Sequence, residues 1–278
     1  MNPHVPFARA GAGRRLLVAS LSAVLAGAVL VGCTKSPSST QSPTPPTTPP
    51  TTPPTTTPPG GKAKVVNDVV ALDPHFSRSF TINQPGGAAG NLLVAYVVAV
   101  GSHPDKQSVP PAGWHAVIYN LHAGIWYRKA SSSDPPSWTW HSGHARGYRW
   151  FGEILVVSGA TSIQAASGQP LCTRPGDFVC DKYAGDVRST CLTSGCGTQL
   201  PAPSVSLQRS GLVIGFWVAH RPAAPIQVPS GFEKIQSVDV FLAEASGSAD
   251  FSKGPTGVQS ATGSRLYVHG IAQLVTFT

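Results

Sequence analysis

Asn91-Leu92-Leu93-Val94-Ala95-Tyr96-Val97-Val98-Ala99 is an almost continuous apolar run, and it recurs without a gap as Gly211-Leu212-Val213-Ile214-Gly215-Phe216-Trp217-Val218-Ala219. A strand with one wet face would show a polar residue at every second position. Neither copy does, which predicts strands buried on both faces. A loop follows each copy, and then Val109-Pro110-Pro111-Ala112-Gly113-Trp114 in the first and Val228-Pro229-Ser230-Gly231-Phe232 in the second. Each copy therefore reads as buried strand, loop, Pro-x-Gly-aromatic turn and next strand, with the Gly at positive φ before a ring that turns into the core. Two copies are too few for a solenoid and suit the two halves of a jelly roll.

Outward from this pair the period-two pattern continues. Short β-rich runs stand at residues 114–119, 125–129, 137–141, 150–157, 162–166, 204–207, 238–243 and 266–277, separated by Gly, Pro, Ser, Asn and Asp. No amphipathic helix of any length interrupts them. The pattern predicts an all-β fold, a jelly-roll-like antiparallel β-sandwich spanning residues 64–278. Low charge, a single Met and 29 Gly agree with that class.

The first sixty residues read differently. Arg9, Arg14 and Arg15 precede the uncharged run 16–31, which is long enough for a signal-peptide core and short of the ~20 apolar residues of a permanent span. The run ends in Leu30-Val31-Gly32-Cys33, which resembles a bacterial lipobox. That resemblance implies a signal peptide over 1–32, a diacylglycerol on Cys33, and a protein exported to the outer face of a bacterial membrane. The alternative is an uncleaved anchor helix that ends in Cys. Arg14-Arg15 leave the export route open between the general and the twin-arginine pathway.

Residues 34–61 carry one charge, Lys35, among Pro, Thr, Ser and Gly. Such a segment buries no core and reads as an extended tether, about 85 Å at full stretch. With Cys33 it forms a linker over 33–63. The tether suits a domain that projects outward through a wall or surface layer.

Five cysteines are an odd number for an exported chain. Lipidation of Cys33 leaves Cys172, Cys180, Cys191 and Cys196, read as two disulfides within a loop insert over 171–199, with Cys172–Cys180 and Cys191–Cys196 favoured as the shorter loops. Their spacing lacks the close Cys pairs of common zinc sites, and no metal or cofactor is expected.

The order of further motifs carries a second resemblance. It comprises Asn91-Leu92-Leu93-Val94-Ala95, Pro111-Ala112-Gly113-Trp114, Trp126-Tyr127-Arg128-Lys129-Ala130, Asp134-Pro135, Trp138-Thr139-Trp140 and Val157-Ser158-Gly159. It extends through Ala202-Pro203-Ser204-Val205 to the final strand, and resembles a jelly-roll module of bacterial secreted and phage tail or virion-associated proteins. The resemblance implies surface display, adhesion or ligand binding and supplies no catalytic set. The four-Cys insert departs from it.

Searching for chemistry finds no nucleophile elbow, P-loop or zinc-protease helix. The sharpest candidate is His141-Ser142-Gly143-His144-Ala145-Arg146, near Trp138, Trp140 and Tyr148, as a metal-binding or sugar-binding patch, although a metal site would want a third ligand. Against it, large aromatics alternating with Thr139 and His141 usually fill the space between sheets. Glu153 and Glu244 are the acid pair to consider for glycoside hydrolysis, although solvent-facing or ion-paired positions are the plainer expectation. Asp68 and Asp73 show no calcium-ligand pattern. The net charge is +8, and +5 remains after residues 1–32 because Arg9, Arg14 and Arg15 leave with no acid. That excess fits anionic wall polymers or lipid headgroups, and no Lys/Arg cluster marks a nucleic-acid surface. The expected partners are thus the membrane, through the lipid, and an envelope carbohydrate or surface protein. A non-catalytic binding module is the reading of choice, with an envelope polysaccharide hydrolase or a structural envelope protein as alternatives.

Overall fold

The repeat becomes two equivalent strands in a computed structural model, which describes residues 62–101, 108–120, 122–172, 198–220, 225–264 and 269–278. Among these residues there are seventeen strands and no helix. The first half contains β1 (Lys64–Ser77), β2 (Ser79–Asn83), β3 (Leu92–Val100), β4 (Ser108–Val109), β5 (His115–Asn120), β6 (Ala123–Lys129), β7 (Ser137–Ser142) and β8 (Tyr148–Ser158). The second contains β9 (Ile163–Cys172), β10 (Gln199–Ala202), β11 (Ser206–Leu207), β12 (Gly211–His220), β13 (Glu233–Asp239), β14 (Leu242–Phe251), β15 (Gly254–Pro255), β16 (Gln259–Thr262) and β17 (His269–Phe277).

Two five-stranded sheets form the centre, in the orders β1-β8-β3-β6-β5 and β9-β17-β12-β14-β13. Every pairing is antiparallel. Read position by position, the two orders are the same arrangement, with β3 and β12 as the middle strands. Each central sheet has its own outer cover. In the first half this is β2-β7-β4; in the second it is β10-β16 and β11-β15, with a bridge from Gln227 to Thr262. The order 1-8-3-6 against 2-7-4 is a jelly-roll arrangement within the first half alone.

The fold class is as the sequence predicts, an all-β antiparallel sandwich, but its layering is deeper. The expectation was one core between two sheets, with one repeat in each. The structure has four layers of strands and three apolar layers between them. The physical reason lies in the quoted runs: a strand apolar on both faces needs cover on both. Leu92, Val94, Tyr96 and Val98 point to the middle layer, where Leu212, Ile214, Phe216 and Val218 meet them. Leu93, Ala95, Val97 and Ala99 point the other way, under the outer sheet with Trp126, Trp140 and Trp150. Val213, Trp217 and Ala219 do the same in the second half. Tyr96 and Phe216, equivalent positions of the repeat, stack with ring centroids 4.5 Å apart.

The paired turns form as expected. Gly113 has φ 81° and Gly231 φ 88°, and Trp114 and Phe232 donate their N–H to the carbonyls of Pro111 and Pro229. Both rings enter the outer cores of their halves. Arg128 and Asp134, motifs without an obvious task in the sequence, hold the β6–β7 connection: they pair at 2.6 Å, and the guanidinium lies 4.1 Å from the Trp138 ring centroid.

Three boundaries differ from expectation. The run 238–243 is two strands joined by a hairpin turn rather than one strand; β13 ends at Asp239, β14 begins at Leu242, and Val240 is exposed at the tip. The strand expected at 162–166 continues to Cys172, paired with β17 as far as His269. The insert expected at 171–199 therefore loses its ends: Leu171 is 0% exposed within β9, and Gln199 begins β10. Cys33, Cys180, Cys191 and Cys196 lie outside the described residues, as do the signal segment and the tether; of Cys172 only the strand backbone is described.

Candidate functional site

The six residues singled out around the β7–β8 hairpin separate into two groups. Trp138 and Trp140 share the inward face of β7 and are buried, packed edge-on and tilted against Trp114 at 5.7 and 5.3 Å. Tyr148 is buried beside Trp150. None of these three rings offers a face to a sugar, which corrects their candidacy as a stacking platform. The reason is the period of two: Thr139 and His141 take the outward positions, and Thr139 pairs there with Thr81 at 2.8 Å between hydroxyls. His141 and Arg146 are exposed and His144 is half-buried.

The hairpin that carries them is held from within. Ser142 Oγ accepts the His144 N–H at 3.1 Å and lies 2.9 and 3.0 Å from the carbonyls of His144 and Arg146. His144 Nδ1 accepts the Arg146 N–H at 3.2 Å. Gly147 passes so close to the next corner that a Cβ there would sit 2.6 Å from the Phe76 carbonyl, so only Gly fits. This accounts for the Ser and the second Gly of the motif as backbone devices, and leaves the cationic side chains outside.

The corner that Gly147 meets, between β1 and β2, is a part of the surface that sequence reasoning missed. Phe76 is 64% exposed, with the Arg149 guanidinium carbon 5.1 Å from its ring centroid. His75 and Arg78 flank it, both exposed. Asp73 fixes the bend by accepting from the His75 N–H and the Ser77 hydroxyl, and Trp150 Nε1 donates to the Ser77 carbonyl at 2.9 Å. Ser79 lies opposite His141, and the Ser142 N–H donates to the Arg78 carbonyl. Phe76, Arg78, His141, Arg146 and Arg149 thus come together from two segments more than sixty residues apart. Among the described residues, none of Arg78, Arg146 and Arg149 has an ion-pair partner. The only local hint was Pro74-His75-Phe76-Ser77-Arg78, a lone aromatic between polar neighbours.

This corner stands at a defined end of the fold. Along β1, Lys64 faces Ser158 and Ser77 faces Tyr148, so the corner is at the end of the strand away from Lys64. In the second half, Lys62 pairs with Asp250 at 2.7 Å, and Asp250 lies opposite Leu212. β12 therefore runs in the same sense as β3, and His220, His269 and Cys172 end at the corner's side. Among the described residues no three His, Cys, Asp or Glu side chains converge as a metal site requires.

No family model matches the chain, and no curated protein or solved structure is significantly similar to it.

The acid pair is the second candidate, and the structure places it where neither expectation put it. Glu153 and Glu244 are 0% exposed, pointing into the middle layer from opposite central sheets. Ser246 Oγ donates to Glu153 Oε1 at 3.0 Å. Glu153 Oε2, both Glu244 oxygens and the Tyr96 hydroxyl have no hydrogen-bond partner among the described residues. Burial pushes Glu153 up to about 8; Asp68 adds to the rise, and the Ser246 bond opposes it. Burial, then the charge of Glu153, holds Glu244 well above the ordinary carboxylate value. At neutral pH these groups are thus held as neutral acids. No sugar reaches either carboxyl group without parting the sheets.

Proposed function

We propose that this chain is an exported lipoprotein, anchored through Cys33 at the outer face of a bacterial membrane, whose β-sandwich is a non-catalytic binding module. The observation that carries the reading is the polarity of β1. The tether joins before Lys64, and the corner that gathers Arg78, Arg146 and Arg149 stands at the Ser77 end, about 40 Å away at ~3.3 Å per residue. The corner is thus the end of the strand farthest from the point where the tether joins.

Three arginines without an ion-pair partner among the described residues, gathered with an exposed ring at one end of the fold, support binding. A spacer gives no reason for that grouping. A hydrolase would need Glu153 and Glu244 open to substrate, and their burial counts against it. The jelly-roll resemblance points toward display and adhesion as well.

Cells producing the chain with labelled fatty acid test the anchor. Wild-type protein takes up label and Cys33→Ser does not. Protease added to intact cells digests the displayed domain. An unlabelled wild type, or a domain protected from protease, sinks the reading.

A further inference from the structure

We infer that the β1–β2 corner and the β7–β8 hairpin together bind an anionic glycan polymer, one carrying repeated carboxylates or phosphodiesters. The inference rests on the display reading and names the ligand class for it.

Three features point to this chemistry. Arg78, Arg146 and Arg149 project from a rigid frame, and a planar guanidinium donates two parallel hydrogen bonds to an oxyanion. His75 and His141 stand beside them, so the donors are spread over a surface instead of converging on one pocket. That spread suits a polymer with charges at intervals better than a single small anion. Asp73, the acid at the corner, already accepts from Ser77 and the His75 N–H and serves the bend.

Phe76 supplies the sugar component. An aromatic ring 64% exposed beside a guanidinium offers a stacking face, and the C–H face of a pyranose fits it. An anionic lipid surface would offer the same charges but no pyranose C–H face for Phe76, and the tether attaches at the opposite end of β1.

The test uses the full mature chain and three immobilised polymers: polygalacturonate for carboxylates, poly(glycerol phosphate) for phosphodiesters, and dextran as the neutral glucan. Wild-type protein is expected to bind at least one anionic polymer and not dextran, and which polymer it takes identifies the oxyanion source. The variant R78A/R146A/R149A is expected to weaken binding about 10-fold or more and to flatten its salt dependence. Phe76→Ala weakens binding to polygalacturonate as well.

The control K64A/R209A/K253A removes three exposed cations from the other end of the fold and is expected to change affinity less than about 2-fold. Melting curves of both triple variants should overlay wild type, because all six side chains lie at the surface. Equal losses in the two variants overturn the site. Binding to dextran unaffected by R78A/R146A/R149A overturns the ligand class, as does tighter binding to duplex DNA than to either polymer. Absence of binding to both anionic polymers overturns the inference while leaving the display reading to the protease experiment on intact cells.

Discussion

Ser246 on β14 donates its hydroxyl to Glu153 on β8 at 3.0 Å, a hydrogen bond between the two central sheets inside their shared apolar layer. It belongs to a polar seam through that layer. Gln236 Nε2 donates to Asp68 at 2.9 Å at one edge, and Gln273 Nε2 approaches the Ala123 carbonyl at 3.5 Å farther across. Apolar faces alone slide over one another at little cost. Buried polar contacts penalise every alignment that leaves them unmatched, and here they set how the two halves face each other.

The first prediction concerns pH. Folded Glu153 keeps its proton up to about pH 8, whereas an unperturbed carboxyl ionises near 4.5. Between those values the folded state binds more protons than the unfolded one. Its stability is therefore complete below about pH 4.5, declines as pH rises, and is lost through about pH 8. Glu244 acts in the same direction. Thermal melts should show the midpoint falling from pH 5 to pH 9, with on the order of a few kcal/mol at stake. Glu153→Gln, which copies the protonated form, should flatten the profile and raise stability at pH 8. A wild type that gains stability over this range would refute the assignment.

Tyr96 and Phe216 provide a second test. They are equivalent in the repeat and stack on each other, and the Tyr96 hydroxyl has no partner among the described residues. Tyr96→Phe removes a buried polar atom and keeps the ring. It should stabilise the fold by about 1 kcal/mol in denaturant melts. Tyr96→Ala, which removes the ring, should destabilise by ~3–5 kcal/mol.

A third prediction follows from two glycines. Gly124 and Gly215 each lie two residues before a Trp whose ring folds back over them. A Cβ would meet the Trp126 ring at 2.4 Å and the Trp217 ring at 2.1 Å. Gly124→Ala and Gly215→Ala should each cost about 1–3 kcal/mol, read as a lowered midpoint, since neither indole can shift in a filled layer. Gly124 lies on β6 and Gly215 on β12, so the two variants test the same local packing at inequivalent places of the two halves.

The fourth concerns the four-Cys segment. Replacing 173–197 with a Gly-Ser turn should leave the far-UV β signal and a cooperative melt, because β9 and β10 remain whole. Leu171→Ala should cost about 2–5 kcal/mol, since Leu171 is fully buried in the outer core of the second half. Mass spectrometry of non-reduced digests would report the two expected disulfides, and free thiols at Cys180, Cys191 or Cys196 would refute them.

Much of the fold could be read from β3 and β12, because a strand wet on neither face declares its burial in composition alone. The Pro-x-Gly-aromatic turns were legible for a similar reason, as positive φ narrows the choice to Gly. The place of Glu153 was written in parity: it alternates with Phe151, Leu155 and Val157, all in the middle layer, yet a carboxylate invites the assumption of water. β1 was missed because it is an edge strand, largely half-exposed, without the apolar density of its neighbours. The corner site was illegible in principle. Arg78 and Arg146 become neighbours only through the pairing of β2 with β7, and register between distant strands is a property of the folded chain.

β1 has a mechanical consequence. It is a single 14-residue strand that opens at Lys64 and ends at the arginine corner, laddered to β8 from Lys64 to Asp73 apart from a bulge at Val66, and again at Ser77. A pull between the two ends runs along the strand and across its hydrogen bonds, which lie perpendicular to it. Loaded in this way the bonds share the force and must fail together, whereas a peeling pull would break them singly. A load applied at Arg78 would thus be borne in shear by β1 against β8.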